Sequence, residues 1–152
     1  MVHFLIQCAV SFVATVAFAI LYHVPRAQYV WCGITGMAGW ACYLLYLAVS
    51  PSAPMASLLA TAVLTVFSRA FAVRRRCPST LFLICGIFPL VPGAGIYYTA
   101  YSFILGETAE CVANGIETFK IAVAIALGIV VVMALPNGLF RLLEPRRSSR
   151  NP

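Results

Sequence analysis

The residues best suited to bind a small molecule lie in one apolar stretch, ICGIFPLVPGAGIYY, residues 84–98. Its prolines lack a backbone N–H and disfavour helix at the preceding residue, while its glycines add backbone freedom. These residues are Pro89, Pro92, Gly93 and Gly95. A helix here should therefore be two half-helices joined by a short extended hinge. The second would begin at Gly93–Ile96, where free N–H groups and the positive end of the helix dipole can hold an anion. A proline kink that only shapes packing is the alternative.

Three tyrosines and one arginine extend the set of candidate binding residues. Tyr97, Tyr98 and Tyr101 directly follow the break and are candidate hydroxyl donors, with aromatic packing as the alternative. Arg69 lies about one turn inside the end of another apolar segment, so its side chain is expected to snorkel to the membrane surface. A role in substrate binding or in an ion pair, on the cytoplasmic side, is the alternative for Arg69.

Glu117 and Lys120 supply charge at the start of the last apolar segment. A separation of three residues places both side chains on one helix face, where they can form an ion pair. Lys120 is expected either to snorkel outward or to interact with a substrate carboxylate or a coupling cation. We expect both residues near the outer surface of the membrane.

The composition is that of a multi-span membrane protein. Hydrophobic residues make up 62% of the 152 residues and charged residues 9%, against about 25% charged residues in soluble domains. The net charge of +6 comes from basic residues that flank apolar segments, so it indicates topology and not nucleic-acid binding. Six cysteines form no CxxC pair, and the sequence has no GxSxG and no metal-ligand spacing. We therefore predict no enzyme activity, cofactor or metal site.

The apolar segments predict an all-α membrane protein with five transmembrane helices in a single domain, residues 1–152. Each segment is long enough to cross a bilayer, which takes roughly 20 residues. They cover about residues 4–22, 31–49, 55–73, 79–105 and 117–135. The fourth is broken at PLVPG, and residues 141–152 form a basic tail after the fifth.

Charge asymmetry predicts the orientation. With five spans, the loop after the first span, the loop Arg74–Pro78 and the C-terminal tail share one side, which carries the arginines outside the spans. By the positive-inside rule this side is cytoplasmic, with the N-terminus outside and the C-terminus inside. The fourth segment then crosses fully, because a re-entrant hairpin would put Arg74–Arg76 on the same side as the acidic loop Gly106–Ile116.

Three stretches together resemble the threonine/serine exporter (ThrE) family. They are FAILYHVPRAQYVWCGITGMAGW at 18–40, IFPLVPGAGIYYTAY at 87–101 and IAVAIALGIVV at 121–131. More narrowly, the chain resembles the small membrane subunit of the split, two-component form, which is related to the small subunit of a succinate exporter. The resemblance covers nearly the whole chain, and the PLVPG break after a VPR turn is its most specific combination.

The resemblance implies a secondary transporter that exports threonine and serine, or a dicarboxylate such as succinate, from a bacterial cell through the inner membrane. It implies a larger partner subunit, because the chain would match only the last five helices of one-chain members. Its ligands would be small carboxylate-bearing metabolites. Two alternatives remain: a structural membrane subunit that does not transport, and a transporter or channel formed by self-association of this chain.

Overall fold

The structure is a computed structural model that describes residues 2–136, all of whose regular elements are helical. The predicted tail at 141–152 lies outside these residues. The helices are α1 Val2–Leu21, α2 Tyr29–Val49, α3 Ala53–Arg75, α4 Ser79–Ile87, α5 Gly93–Leu105 and α6 Thr108–Met133. Four helices, α1, α2, α3 and α6, are long and apolar enough to cross a membrane. With the bent pair α4 and α5 as a fifth span, the all-α membrane fold is confirmed.

Helix α2 packs between α1 and α3, and glycines allow both approaches. A Cβ on Gly36 would overlap the Thr15 side chain of α1, and a Cβ on Gly39 would come within 3.1 Å of Leu64 in α3. Helix α4 packs into the groove between α2 and α3, where Phe82 is fully buried. The glycines spaced by three in α2 therefore serve close helix packing on two faces.

Helix α6 continues the bundle by packing on α3. A Cβ on Gly128 would overlap the Thr61 hydroxyl and come within 2.6 Å of the Leu58 carbonyl oxygen, so the two backbones are nearly in contact. Helix α5 packs mainly against α6. The second half of the broken span therefore leaves the α1–α4 bundle and forms a hairpin with α6.

Buried hydroxyl groups run along α3 without unpaired donors. Ser57, Thr61, Thr65 and Ser68 are each at most 1% exposed. Each donates to the carbonyl oxygen four residues earlier, at 2.6–2.9 Å. These bonds satisfy the hydroxyls at membrane depth, where an unpaired polar group costs free energy.

The start of α6 differs from the sequence prediction. We expected Gly106–Ile116 to be a polar loop, but only the turn at Gly106 and Glu107 is non-helical and α6 begins at Thr108. Gly106 adopts φ +76°, the left-handed conformation that ends α5. The prediction was wrong because the rise in hydropathy marks where the apolar part of a helix begins, whereas the helix itself begins at the turn.

Candidate binding cavity at the broken helix

The break between α4 and α5 is a compact turn that bends the span by 49°. Helix α4 ends at Ile87, a 3₁₀ turn covers Phe88–Leu90, and Val91 is extended with ψ 130°. Helix α5 begins at Gly93, where the sequence predicted the second half-helix. The hinge is thus less extended than expected, because its first three residues still form a helical turn.

Protein covers one side of the break. Leu90 is buried and packs with Ala60 and Leu64 of α3, while the Phe88 ring stacks on Phe18 of α1 with 3.9 Å between ring centroids. Irregular backbone within a membrane needs such cover, or a water-filled cavity, to satisfy its polar groups. A cavity adjoins the other side of the break.

This cavity, called here the break cavity, has a volume of about 320 Å³. Its walls come from four parts of the chain: α2, α3, the break with the start of α5, and α6. The lining residues are Trp40, Tyr43, Ser57, Pro89, Leu90, Val91, Pro92, Gly93, Ala94, Gly95, Asn114, Glu117, Thr118 and Ile121. Five of the predicted site residues therefore meet in one place: Pro89, Pro92, Gly93, Gly95 and Glu117.

The N-terminus of α5 forms one wall of the break cavity. Pro92 precedes the helix, and no side chain caps the first turn. The Gly93 N–H bonds to the Val91 carbonyl at 2.8 Å, and a Cβ on Gly93 would meet no atom within 4 Å. The first N–H groups of a helix have no partner within that helix and lie at its positive end. The Ile96 N–H bonds to the Pro92 carbonyl at 3.1 Å, so the free N–H groups predicted for Gly93–Ile96 are reduced to those of Ala94 and Gly95. An anion such as a carboxylate suits these two donors.

Polar side chains line the opposite walls. The Trp40 indole nitrogen of α2 donates to the Gln7 side-chain oxygen of α1 at 3.2 Å, which fixes one wall. Thr118 donates to the Asn114 carbonyl of α6 at 2.7 Å. A hydroxyl that has donated its hydrogen keeps oxygen lone pairs that accept from a ligand. The walls therefore offer acceptors as well as backbone donors.

Glu117 brings charge to the break cavity. Its carboxylate lies 3.9 Å from the Lys120 ammonium, so the predicted pair forms, with both side chains more than half exposed. Because α6 begins at Thr108, Glu117 lies in the third turn of the helix, about 14 Å from its start. The sequence placed the pair at the start of the last span, about residue 117, whereas the structure places it well inside the helix. Glu117 lines the break cavity, whereas Lys120 lines an adjoining groove.

The three tyrosines do not join this site. Tyr97, Tyr98 and Tyr101 are each at least 50% exposed and do not line the break cavity. The Tyr97 ring stacks on the Tyr101 ring, with 6.1 Å between centroids, and lies edge-on to the Tyr98 ring. The structure therefore favours the aromatic-packing alternative, on a face of α5 that points away from the cavity.

Arg69 is also remote from the cavity. Its side chain is only 6% exposed, so the snorkelling prediction was wrong. Its guanidinium donates to the carbonyl oxygen of Val132, in the last turn of α6. A cation at the negative C-terminal end of a helix is stabilising, and this bond joins α3 to α6. Ser57 of the cavity lies about 18 Å away along α3.

A second, larger groove of about 670 Å³ lies between α5 and α6. Its lining is almost wholly apolar and includes Ile96, Phe103, Ile104 and Phe119. Lipid chains or an apolar helix suit such a surface, but a polar metabolite does not. The break cavity is therefore the better candidate for a metabolite site.

Sequence reasoning missed half of this cavity. Trp40, Tyr43 and Ser57 come from separate helices, and nothing in their local sequence marks them. Four lining residues share one face of α6, because Glu117, Thr118 and Ile121 follow Asn114 by three, four and seven residues. Had the helix been extended back through Ala113, this spacing would have indicated a shared face.

An interrupted membrane helix beside a cavity that offers polar groups is characteristic of secondary transporters. Comparison with known proteins shows which family of transporters the chain resembles. The sequence profile of the family described as "Threonine/Serine exporter, ThrE" matches residues 7–135, most of the chain. The chain therefore belongs to the threonine/serine exporter family, a family of membrane transporters.

A curated relative agrees with this assignment. The chain is 28% identical over 120 residues to a protein named threonine/serine exporter from Corynebacterium glutamicum. The match covers 78% of this chain and 24% of the relative, so the chain spans about a quarter of the relative's length. No solved structure matches.

Proposed function

We propose that this chain is the membrane subunit of a secondary transporter that exports small amino acids, threonine and serine, through the break cavity. The observation that carries the proposal is the interrupted span, whose second half presents its N-terminus, with the N–H groups of Ala94 and Gly95, to a cavity lined by apolar and polar groups. In transporters such half-helix ends bind the carboxylate of the substrate. Family membership supports the same function.

We further propose a larger partner subunit. The named relative is about four times as long as the part that matches this chain, which leaves room for helices that this chain does not supply. The half-span α5 packs mainly against α6, and the opposite face exposes Tyr97, Tyr98 and Tyr101. A partner helix that covers this face would complete the packing of α5. Self-association of the chain is the competing arrangement.

The proposed location is the inner membrane of a bacterial cell, with the N-terminus outside and the arginines at 74–76 in the cytoplasm. The described arginines support this orientation, because Arg26, Arg74, Arg75 and Arg76 lie at one end of the bundle. In this orientation α4 and α5 cross the membrane as one broken span, and the break cavity lies between the membrane faces. The chain acts by binding and conformational change and is not an enzyme.

Efflux from liposomes tests the function. Liposomes loaded with labelled threonine, serine or succinate would hold this chain alone, or this chain with its larger subunit. We expect efflux of threonine and serine, and only when both chains are present. Efflux from this chain alone would show that it transports by itself, as a self-associated oligomer, and not as part of a two-part exporter. Efflux of succinate but not of the amino acids would make a dicarboxylate the substrate. Absence of efflux from both preparations would favour a structural subunit that does not transport.

A further inference from the structure

Helix α6 presents one charged side chain to the break cavity. The face that lines the cavity carries Asn114, Glu117, Thr118 and Ile121. Among the lining residues, all of which lie within the described range 2–136, only Glu117 is charged. The rest of the lining is apolar, hydroxyl, amide or backbone. The Glu117 carboxylate is thus the charged group that a ligand in the cavity would meet.

The charged partner of Glu117 lies outside the cavity. Lys120 lines the adjoining groove with Leu58, Val123 and Leu127, and its ammonium reaches Glu117 only at 3.9 Å. Both side chains are more than half exposed, at 60% for Lys120 and 53% for Glu117. A separation of 3.9 Å is too long for a hydrogen bond, so Lys120 leaves the oxygens of the Glu117 carboxylate able to accept one. A cationic group that enters the cavity can thus bind Glu117 more closely than Lys120 does.

We infer that Glu117 binds the ammonium group of the exported molecule and thereby selects amino acids over dicarboxylates. This inference rests on the proposed function of the break cavity and names what its acidic wall recognises. An amino acid places its ammonium beside Glu117 and releases Lys120. A dicarboxylate such as succinate would instead place a second negative charge beside the Glu117 carboxylate, where like charges repel. Glu117 is thus a specificity-determining residue.

Competition on the unmodified protein provides the first test. Efflux of labelled threonine is measured in the preparation that exports it, with unlabelled serine or glycerate added to the loaded side. Glycerate has the serine skeleton with a hydroxyl in place of the amino group, so it isolates the ammonium. Glycerate cannot form the charge-assisted hydrogen bond between an ammonium group and Glu117. It should therefore compete with threonine on the order of tenfold or more less strongly than serine does. Equal competition by glycerate and serine would overturn the inference.

Two acid-to-amide variants then assign the effect to one residue. In Glu117→Gln, serine should compete with threonine about tenfold less strongly, while competition by glycerate stays nearly unchanged. The variant should therefore no longer discriminate between serine and glycerate. Glu110→Gln is the matched control, because Glu110 is an exposed acid on the same helix that does not line the cavity. Lys120→Met should retain or strengthen serine binding, since it leaves Glu117 without its competing cation.

The outcomes separate the two proposals. Absence of threonine efflux from the unmodified protein would overturn the proposed function, and this inference with it. Threonine efflux together with unchanged discrimination in Glu117→Gln would overturn the inference alone. Should Glu117→Gln not insert into the membrane, Glu117→Asp keeps the charge and should keep the preference for serine over glycerate. Loss of that preference in an inserted Glu117→Asp protein, with efflux intact, would also contradict the inference.

Discussion

Gly95 of α5 lies directly against Thr118 of α6: a Cβ on Gly95 would overlap the threonine hydroxyl. One turn further along α5, Thr99 packs against Gly115 of α6, with 3.4 Å between its methyl group and the position of a glycine Cβ. The hairpin thus pairs a glycine with a threonine twice, in opposite directions. This close packing fixes the start of α5 beside α6 and so sets the shape of the break cavity.

The two glycines at the start of α5 should therefore respond differently to substitution. Gly95→Ala should destabilise the protein by about 1–3 kcal/mol, because the added methyl overpacks the α5–α6 contact. Thr118→Ala removes the overlapping hydroxyl, so the double variant should recover much of this loss. Thermal unfolding in detergent would measure the coupling. If the stability changes of the two single variants simply add in the double variant, the Gly95–Thr118 contact is not the cause of the loss in Gly95→Ala.

Gly93→Val should abolish export while leaving membrane insertion and thermal stability close to those of the unmodified protein. The side chain has room, since no atom lies within 4 Å of the Cβ position, but it enters the cavity beside the first N–H groups of α5. Efflux and membrane yield are measured side by side. Full export by an inserted Gly93→Val protein would exclude this wall as a substrate site.

Arg69 should matter for stability. Arg69→Met removes the bond to the Val132 carbonyl, and a hydrogen bond from a charged donor contributes about 1.5–3 kcal/mol. Arg74→Met, at an exposed position of the same helix, is the control and should change stability by less than about 0.5 kcal/mol. Equal unfolding temperatures for the two variants would contradict the buried capping role of Arg69.

The tyrosine hydroxyls of α5 should be dispensable for binding. Because Tyr97, Tyr98 and Tyr101 lie outside the break cavity, the triple replacement by phenylalanine keeps the rings and their packing. We expect threonine efflux within about twofold of the unmodified protein, since exposed substitutions of this kind rarely disturb a remote site. A tenfold loss of efflux with normal assembly would return these hydroxyls to the substrate path.

Topology reporters test the orientation and the crossing of the broken span together. Alkaline phosphatase, active only outside the cytoplasm, is fused after Ser52, Cys77 or Glu107. The positive-inside rule predicts activity after Ser52 and Glu107 and none after Cys77. A re-entrant hairpin would give the same result at Cys77 and Glu107. A reversed orientation would invert all three readings.

Local chemistry explains which features the sequence could predict. Proline and glycine act on their own backbone, so the break and the start of α5 at Gly93 follow directly from PLVPG. Long apolar segments likewise define α1, α2 and α3 to within a few residues. Hydropathy did not reveal that α6 begins at Thr108, because polar residues can continue a helix beyond its apolar part.

Tertiary packing decides the rest. Arg69 is near the end of an apolar segment, where snorkelling is the usual result. The C-terminus of α6 lies within its reach, however, and the guanidinium donates a hydrogen bond to a carbonyl oxygen there. The tyrosines after the break had the right chemistry for a site, but the rotation of α5 points them away from the cavity. Such placements depend on how α5 packs on α6 and how α6 packs on α3, which no single segment encodes.

Threonine protection of a cysteine at position 94 tests the central claim most directly. In a variant whose native cysteines are replaced, Ala94→Cys, a small change at an exposed residue that lines the break cavity, would be treated with a membrane-impermeant, charged thiol reagent. Ala113→Cys on the exposed part of α6 is the control. If the break cavity binds the exported amino acid, modification at position 94 stops efflux and threonine slows that modification, while neither effect occurs at position 113. If the reagent modifies position 94 equally fast with and without threonine and efflux continues, the substrate does not bind at the break.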